Sequence, residues 1–219
     1  MFPLTFDIAH FLAGLLLLLS FVLLYQDRLP PLINAFAAQS LVVALSVAWQ
    51  AEAQHAPHLL ITAVIEFCFK TVLIPLVLTW TIRTLKIHRT LEVVVSVGPT
   101  IIAGIALVGL SLGLMMRATV GIGDLARQDL AFALSVVLLG MLMMITRRNA
   151  VSQVIGFMSI ENGLVLAATG AKGMPFVVET SVAFSVLVAL IVIGIFLFRI
   201  RERFDSVDVA LMDQFRGER

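Results

Sequence analysis

Long apolar runs, each separated from the next by a few polar or proline residues, set the pattern of this chain. Seven runs are recognised, at about 4–25, 31–50, 58–82, 92–116, 128–146, 150–169 and 176–199. Each is about 20 residues long, enough to cross a bilayer as a helix. The connections are short: Gln26 to Pro30, Ala51 to Pro57, Arg83 to Leu91, Arg117 to Arg127, Arg147 to Asn149, and Gly170 to Pro175. Pro30, Pro57 and Pro175 stand at helix starts, where a missing N–H costs least. Pro75 falls inside the third run, and the sequence predicts a kink there and a freed backbone carbonyl about one turn beyond Lys70. The fold class that follows is an all-α polytopic membrane protein of about seven transmembrane helices.

Composition agrees with this. Of the 219 residues, 60% are hydrophobic, against about 45–50% in a typical soluble domain. Mean hydropathy is +1.06. A formal net charge of +1 gives no reason to expect a nucleic acid or a strongly acidic partner. Cys68 is the single cysteine, so no internal disulfide forms, and no Cys/His cluster points to a structural metal. The start of the chain, Met1 to Asp7, has no basic segment and no small-residue cleavage site after it, which predicts a retained first helix. Placing the N-terminus outside puts eleven basic residues in the inner loops and tail: Arg28, Arg83, Lys86, Arg89, Arg147, Arg148, Arg199, Arg201, Arg203, Arg216 and Arg219. The outer loops then hold three, Arg117, Arg127 and Lys172. That asymmetry predicts a cytoplasmic C-terminus.

The first three runs and the last three share a plan. In each, a long helix ends in a tight polar turn, Gln26-Asp27-Arg28 or Arg147-Arg148-Asn149, and the next helix leads to a loop ending in Pro57 or Pro175. Sliding the halves by about 121–122 residues lays Phe36 to Ser40 over Phe157 to Asn162, with Glu161 opposite Gln39 or Ser40. One reading is a degraded 3+1+3 parallel repeat; the other is the ease with which apolar helices align by chance. The corresponding division is residues 1–91, a three-helix unit; 92–127, a linking helix; 128–203, a second three-helix unit; and 204–219, a short charged tail too small for a catalytic domain.

Four ionisable residues interrupt the apolar runs: Glu66, Lys70, Glu161 and Glu179. A charge at the bilayer centre costs roughly 2.5–3.5 kcal/mol on insertion scales, so such residues pair, line a wet path or move an ion. Glu66 and Lys70 are four apart, on one face, in the favourable order for an ion pair. They either neutralise each other for packing alone, or let Lys70 tune nearby carboxylates. Glu161 has no opposite charge within a turn of its own helix. It is either hydrogen-bonded as a neutral acid or met by a cation from another helix, and it is the best proton-carrier candidate. Its bland alternative is an interhelical hydrogen bond. Glu179 lies about one turn into the seventh run, where it opens access from one side or reaches the headgroups; Ser181 and Ser185 extend its stripe. Gln39 and Asn162 are uncharged candidates for the same pathway, although interhelical glue is the ordinary role of Gln39, Ser40 and Asn34.

Other patterns carry less. Glu52, His55 and His58 surround Pro57 at a turn and read as a solvated loop. Gly109 and Gly113 form a GxxxG in the fourth run, which predicts close helix packing or a face toward a partner. Arg147-Arg148 and Arg199-Ile200-Arg201 are positive-inside anchors first and docking positions second.

Several stretches together resemble one family. They are Gln39-Ser40-Leu41-Val42, Lys70-Thr-Val-Leu-Ile-Pro75-Leu, Arg148-Asn149-Ala-Val-Ser-Gln153-Val-Ile-Gly156-Phe, Glu161-Asn162-Gly163, Glu179 and Val207-Asp208-Val209. Over nearly its full length the chain is similar to the hydrogenase-4 component E (HyfE-like) membrane subunits. The last three runs also look like the small subunit K of respiratory complex I and the C subunit of Mrp-type cation/proton antiporters. In subunit K the key glutamate falls near Met158, one turn before Glu161, and its second glutamate comes one to two turns after Glu179.

The resemblance implies a non-catalytic membrane subunit of a complex-I-like, energy-converting assembly in a bacterial or archaeal cytoplasmic membrane. Relatives of that kind serve group 4 NiFe hydrogenases and formate hydrogenlyase complexes. The implied partners are an antiporter-like membrane subunit, a complex I anchor-like membrane subunit, a soluble hydrogenase-like arm and the lipid bilayer. No cofactor is expected in this chain; NiFe and iron–sulfur clusters are expected in partner subunits. Glu161 would relay protons, Lys70 and Glu66 would set the local field, and Glu179 would give access. Two alternatives stand beside this: a subunit of a Mrp-like antiporter or ion-driven uptake complex without a redox arm, and a purely structural membrane scaffold.

Overall fold

The computed structural model describes residues 3–85, 95–118 and 124–170, together with 187, 191 and 194. The described chain is helical: α1 (Pro3–Tyr25), α2 (Leu29–Ala53), α3 (Pro57–Glu66), a π-helical segment (Phe67–Leu73), α4 (Ile74–Leu85), α5 (Val97–Ala118), α6 (Asp124–Thr146) and α7 (Ala150–Gly170). α3, the π segment and α4 run on without a break as one span. Six spans among the described residues are long and apolar enough to cross a membrane. The seventh run, with Glu179, Lys172 and the charged tail, lies outside the described residues.

The turns explain why the helices stop where they do. α2 extends three residues beyond its predicted end, to Ala53, and closes in a Schellman motif. There the Ala56 N–H donates to the Ala51 carbonyl at 2.9 Å and the His55 N–H to the Glu52 carbonyl at 3.2 Å. His55 takes the left-handed position, φ 52°, that glycine usually fills. α7 is capped by Asn149, whose Oδ1 accepts from the Val151 N–H at 2.8 Å. Arg147, just before that cap, is buried, and its Nη2 donates to the Leu24 carbonyl at the end of α1 at 2.8 Å. A cation there satisfies an orphan carbonyl and complements the helix dipole. Burial pushes the Arg147 guanidinium below its ordinary value, and Asp27 acts against that shift.

At Pro75 the response is a wider helix. The π segment, Phe67–Leu73, directly precedes the turn that holds the proline, so the chain loses its ordinary hydrogen-bond register around Lys70 rather than ending there.

The core is layered. One apolar cluster holds Leu23, Leu24, Leu32, Phe36, Ile74, Leu78, Met143, Ile155 and Met158; a second holds Ala13, Leu16, Val43, Val47, Leu59, Ala63, Ala133, Val136 and Val165. α1, α2, the third span and α7 each contribute to both, with buried polar residues in between: Ser20, Gln39 and Ser40, Glu66 and Lys70, and Ser159, Glu161 and Asn162. The helices thus pass from one apolar layer, through a polar layer, into another. α1 packs on α6 and α2 on α7. Polar contacts between these hairpins join residues 119 to 123 apart in sequence.

Close approach of α6 and α7 depends on glycine. A Cβ on Gly140 would meet Ile160 Cγ1 at 2.8 Å and the Gly156 carbonyl oxygen at 2.9 Å; one on Gly163 would meet Val137 Cγ2 at 2.8 Å and the Ala133 carbonyl oxygen at 2.9 Å. Of the two readings of Gly109 and Gly113, close packing within the chain is corrected: a Cβ on either would meet nothing within 4 Å. Their GxxxG packs no helix among the described residues, because α5 turns Ile102, Ile105, Leu110 and Leu114 outward. Gly140→Ala should therefore lower stability in detergent by about 1–3 kcal/mol through overpacking, while Gly109→Ala and Gly113→Ala, which meet nothing and remove a helix-interior glycine, should not lower the unfolding midpoint. Thermal unfolding of the three variants checks this.

Candidate functional site

The π segment and α7 meet in the polar layer. Lys70, in the middle of the π segment, is fully buried. Its Nζ stands 2.8 Å from Glu66 Oε2, 3.2 Å from Glu161 Oε1 and 3.2 Å from Asn162 Oδ1. Three oxygens therefore surround a group that, as an ammonium, has three N–H donors. Glu66 is wholly buried, and Glu161 is 5% exposed. Fully ionised, the trio holds two negative charges against one positive. One proton on either carboxylate would make it neutral.

The polar layer continues from Asn162 toward α1. Asn162 Nδ2 donates to Gln39 Oε1 at 3.3 Å and lies 3.5 Å from Ser40 Oγ. Gln39 Nε2 donates to Ser20 Oγ at 2.8 Å and to Ser159 Oγ at 2.9 Å. Side chains from α1, α2, the third span and α7 thus form one buried network.

The spacing of glycines on α7 explains how this is built. Gly156 and Gly163 face α6 closely, Gly156 with its Cβ position 2.8 Å from Met144 Cγ. Glu161 and Asn162 leave the helix toward α2 and the third span. Five of the six sequence-predicted pathway residues, Glu66, Lys70, Glu161, Asn162 and Gln39, are brought together here. Glu179 lies outside the described residues. Of the milder candidates, Ser40 is buried in the network and Asn34 is exposed. Glu52 and His55 are exposed at the α2–α3 turn.

Sequence reasoning missed Ser20 and the role of Ser159. A lone serine in a leucine-rich helix carries no periodic signal, and its back-bond to Leu16 is the ordinary way such a residue is satisfied. It also missed His10 and Asp129, whose Nδ1 and Oδ1 lie 2.9 Å apart between α1 and α6, with the Phe132 ring centroid 5.1 Å from that of His10. This pair sits toward the N-terminal ends of both helices. Ala13, Leu16, Ala133 and Val136 follow it along those helices as part of an apolar cluster.

The chain is 28% identical to hydrogenase-4 component E of Escherichia coli K12 over 214 residues, 96% of this chain and 98% of that protein. The same figures hold for hydrogenase-4 component E of Shigella flexneri. A stretch of 87 residues is 39% identical to an uncharacterized protein, Rv0085, of Mycobacterium tuberculosis, covering 38% of this chain and 39% of that one. No family model and no solved structure matches.

Removing the cation while keeping both carboxyls leaves buried negative charge without a counter-ion. Lys70→Met should cost about 3–5 kcal/mol of stability, and adding Glu66→Gln to it should restore a large part. Unfolding midpoints of the single and double variants in detergent test this; equal midpoints for the two would show that the ion pair is not what holds the layer.

Proposed function

We propose that this chain is a non-catalytic membrane subunit of a hydrogenase-type, energy-converting complex, and that its Glu66–Lys70–Glu161 cluster passes protons within the plane of the membrane. The carrying observation is two carboxyls on one buried ammonium, in a polar layer bounded along each contributing helix by apolar side chains. Such a layer resists water from either membrane face, so exchange runs sideways, toward neighbouring subunits. Full-length similarity to hydrogenase-4 component E supports the type of complex. An antiporter-like subunit and an anchor-like subunit are the membrane neighbours in this reading, with a soluble hydrogenase-like arm carrying the metal clusters.

In the working cycle Lys70 remains a fixed positive charge. A proton arriving on Glu161 releases its share of that charge, and Lys70 then leans on Glu66; departure of the proton reverses the shift. The ligand exchanged is a proton and not sodium, because Nζ already fills the place among the oxygens that a bare cation would take. Hard cations need a shell of oxygen ligands, and here one oxygen from each of Glu66, Glu161 and Asn162 already faces the lysine. The near-constant separation of 119 to 123 residues between contacting partners in the two hairpins supports a parallel repeat, with the N-terminus outside by the charge asymmetry.

The test uses the assembled complex in inverted vesicles, with proton uptake driven by its redox reaction. Glu161→Gln should leave the complex intact and lower uptake per electron by roughly tenfold or more, as expected when a proton carrier is lost. Removing sodium should leave the wild-type rate unchanged. Unaltered uptake in the variant would end the relay reading in favour of a scaffold. Sodium-dependent uptake would favour the antiporter-type alternative.

A further inference from the structure

The direction of the hydrogen bonds in the polar layer is set from α1. Ser20 donates its hydroxyl proton to the Leu16 carbonyl at 2.9 Å. A hydroxyl has one proton to give, so toward its other neighbours Ser20 Oγ can only accept. Gln39 answers with Nε2, at 2.8 Å, and gives its second N–H to Ser159 Oγ at 2.9 Å. The amide oxygen of Gln39 is thereby turned to Asn162, which meets it with Nδ2 at 3.3 Å. That choice leaves Asn162 Oδ1 facing Lys70 Nζ at 3.2 Å. Every donor along this route points one way, from Lys70 through Asn162, Gln39 and Ser20 to the Leu16 carbonyl.

We infer that Ser20 is a positioning residue for Lys70: it orients the Gln39 and Asn162 amides so that an oxygen, and not an N–H, meets the ammonium. The inference rests on the relay reading above. Ser20 and the two amides carry no proton themselves; a chain of aligned donors strengthens each of its members. Without the Ser20 oxygen, the Gln39 amide keeps only Ser159 as an acceptor and is free to turn over. Asn162 then loses the acceptor that fixes its Nδ2 and keeps only Ser40 Oγ at 3.5 Å, so its oxygen is held less firmly against the ammonium. Lys70 then leans more heavily on the two carboxylates, and the balance between Glu66 and Glu161 shifts.

The test measures proton uptake per electron in the assembled complex carrying Ser20→Ala, Ser20→Thr, Gln39→Met, the Ser20→Ala/Gln39→Met pair, and Ser135→Ala. Ser135 is a control: it is equally buried and back-bonded, to the Ala131 carbonyl at 2.7 Å, but lies on α6, off the chain of amides. Ser20→Ala should lose roughly threefold to tenfold, the range that one hydrogen bond commands, with Ser20→Thr restored to wild type and Ser135→Ala unchanged. The double variant should match Gln39→Met alone, since the chain is already broken at the next link. Wild-type uptake in Ser20→Ala, an equal loss in Ser135→Ala, or losses that multiply in the double variant would each overturn the inference. If Glu161→Gln is itself without effect, the relay reading fails first; a strong Glu161→Gln defect beside an unaffected Ser20→Ala overturns only this inference.

Discussion

A buried ammonium between two carboxyls is the interaction on which the arrangement of this protein turns. Charges taken out of water return their desolvation cost only through near-ideal geometry and complete hydrogen bonding. Lys70 meets that condition with three acceptors drawn from two helices, two of them on α7 and one on its own span. The position of α7 against the third span is therefore set by electrostatics as much as by packing, and a shift of either helix would break the set of contacts.

The rest of the fold serves this layer. Above and below it, apolar side chains close the space between helices, and the glycines of α6 and α7 let those two helices touch along their backbones. With α7 pressed on α6 by one face, its polar residues occupy the other. Arg147 and Asn149 then fix the start of α7: one ties the turn to the end of α1, the other caps the first helical turn. α5 stays peripheral, packing on α6 and α1 while most of its surface faces outward.

Much of this was legible in the sequence, for identifiable reasons. Six of the predicted runs correspond to helical spans, because length and hydropathy dominate the structure of a chain in lipid. Glu66, Lys70 and Glu161 stood out because charge is rare in such runs. Their convergence did not, since Glu161 and Lys70 lie 91 positions apart and no local period relates them. Pro75 announced an irregularity but not its form, a π segment in the turns before it. Ser20 was invisible for a different reason. Its importance lies wholly in which of its two hydrogen-bonding capacities is already used, and a sequence does not state that.

The π segment has a consequence for comparing such chains. A wide turn is, in effect, one extra residue accommodated within a helix. Each residue of an α-helix turns the chain by about 100°, so deleting one uncharged position after the lysine, such as Thr71, would restore regular winding and swing Glu66 and Lys70 together out of their register with α7. Overall hydropathy and every charged residue would survive the deletion. Two chains alike in all those respects can thus differ in whether the lysine reaches its partner helix, and the spacing between Glu66 and Pro75 is the part of the text in which that difference is written.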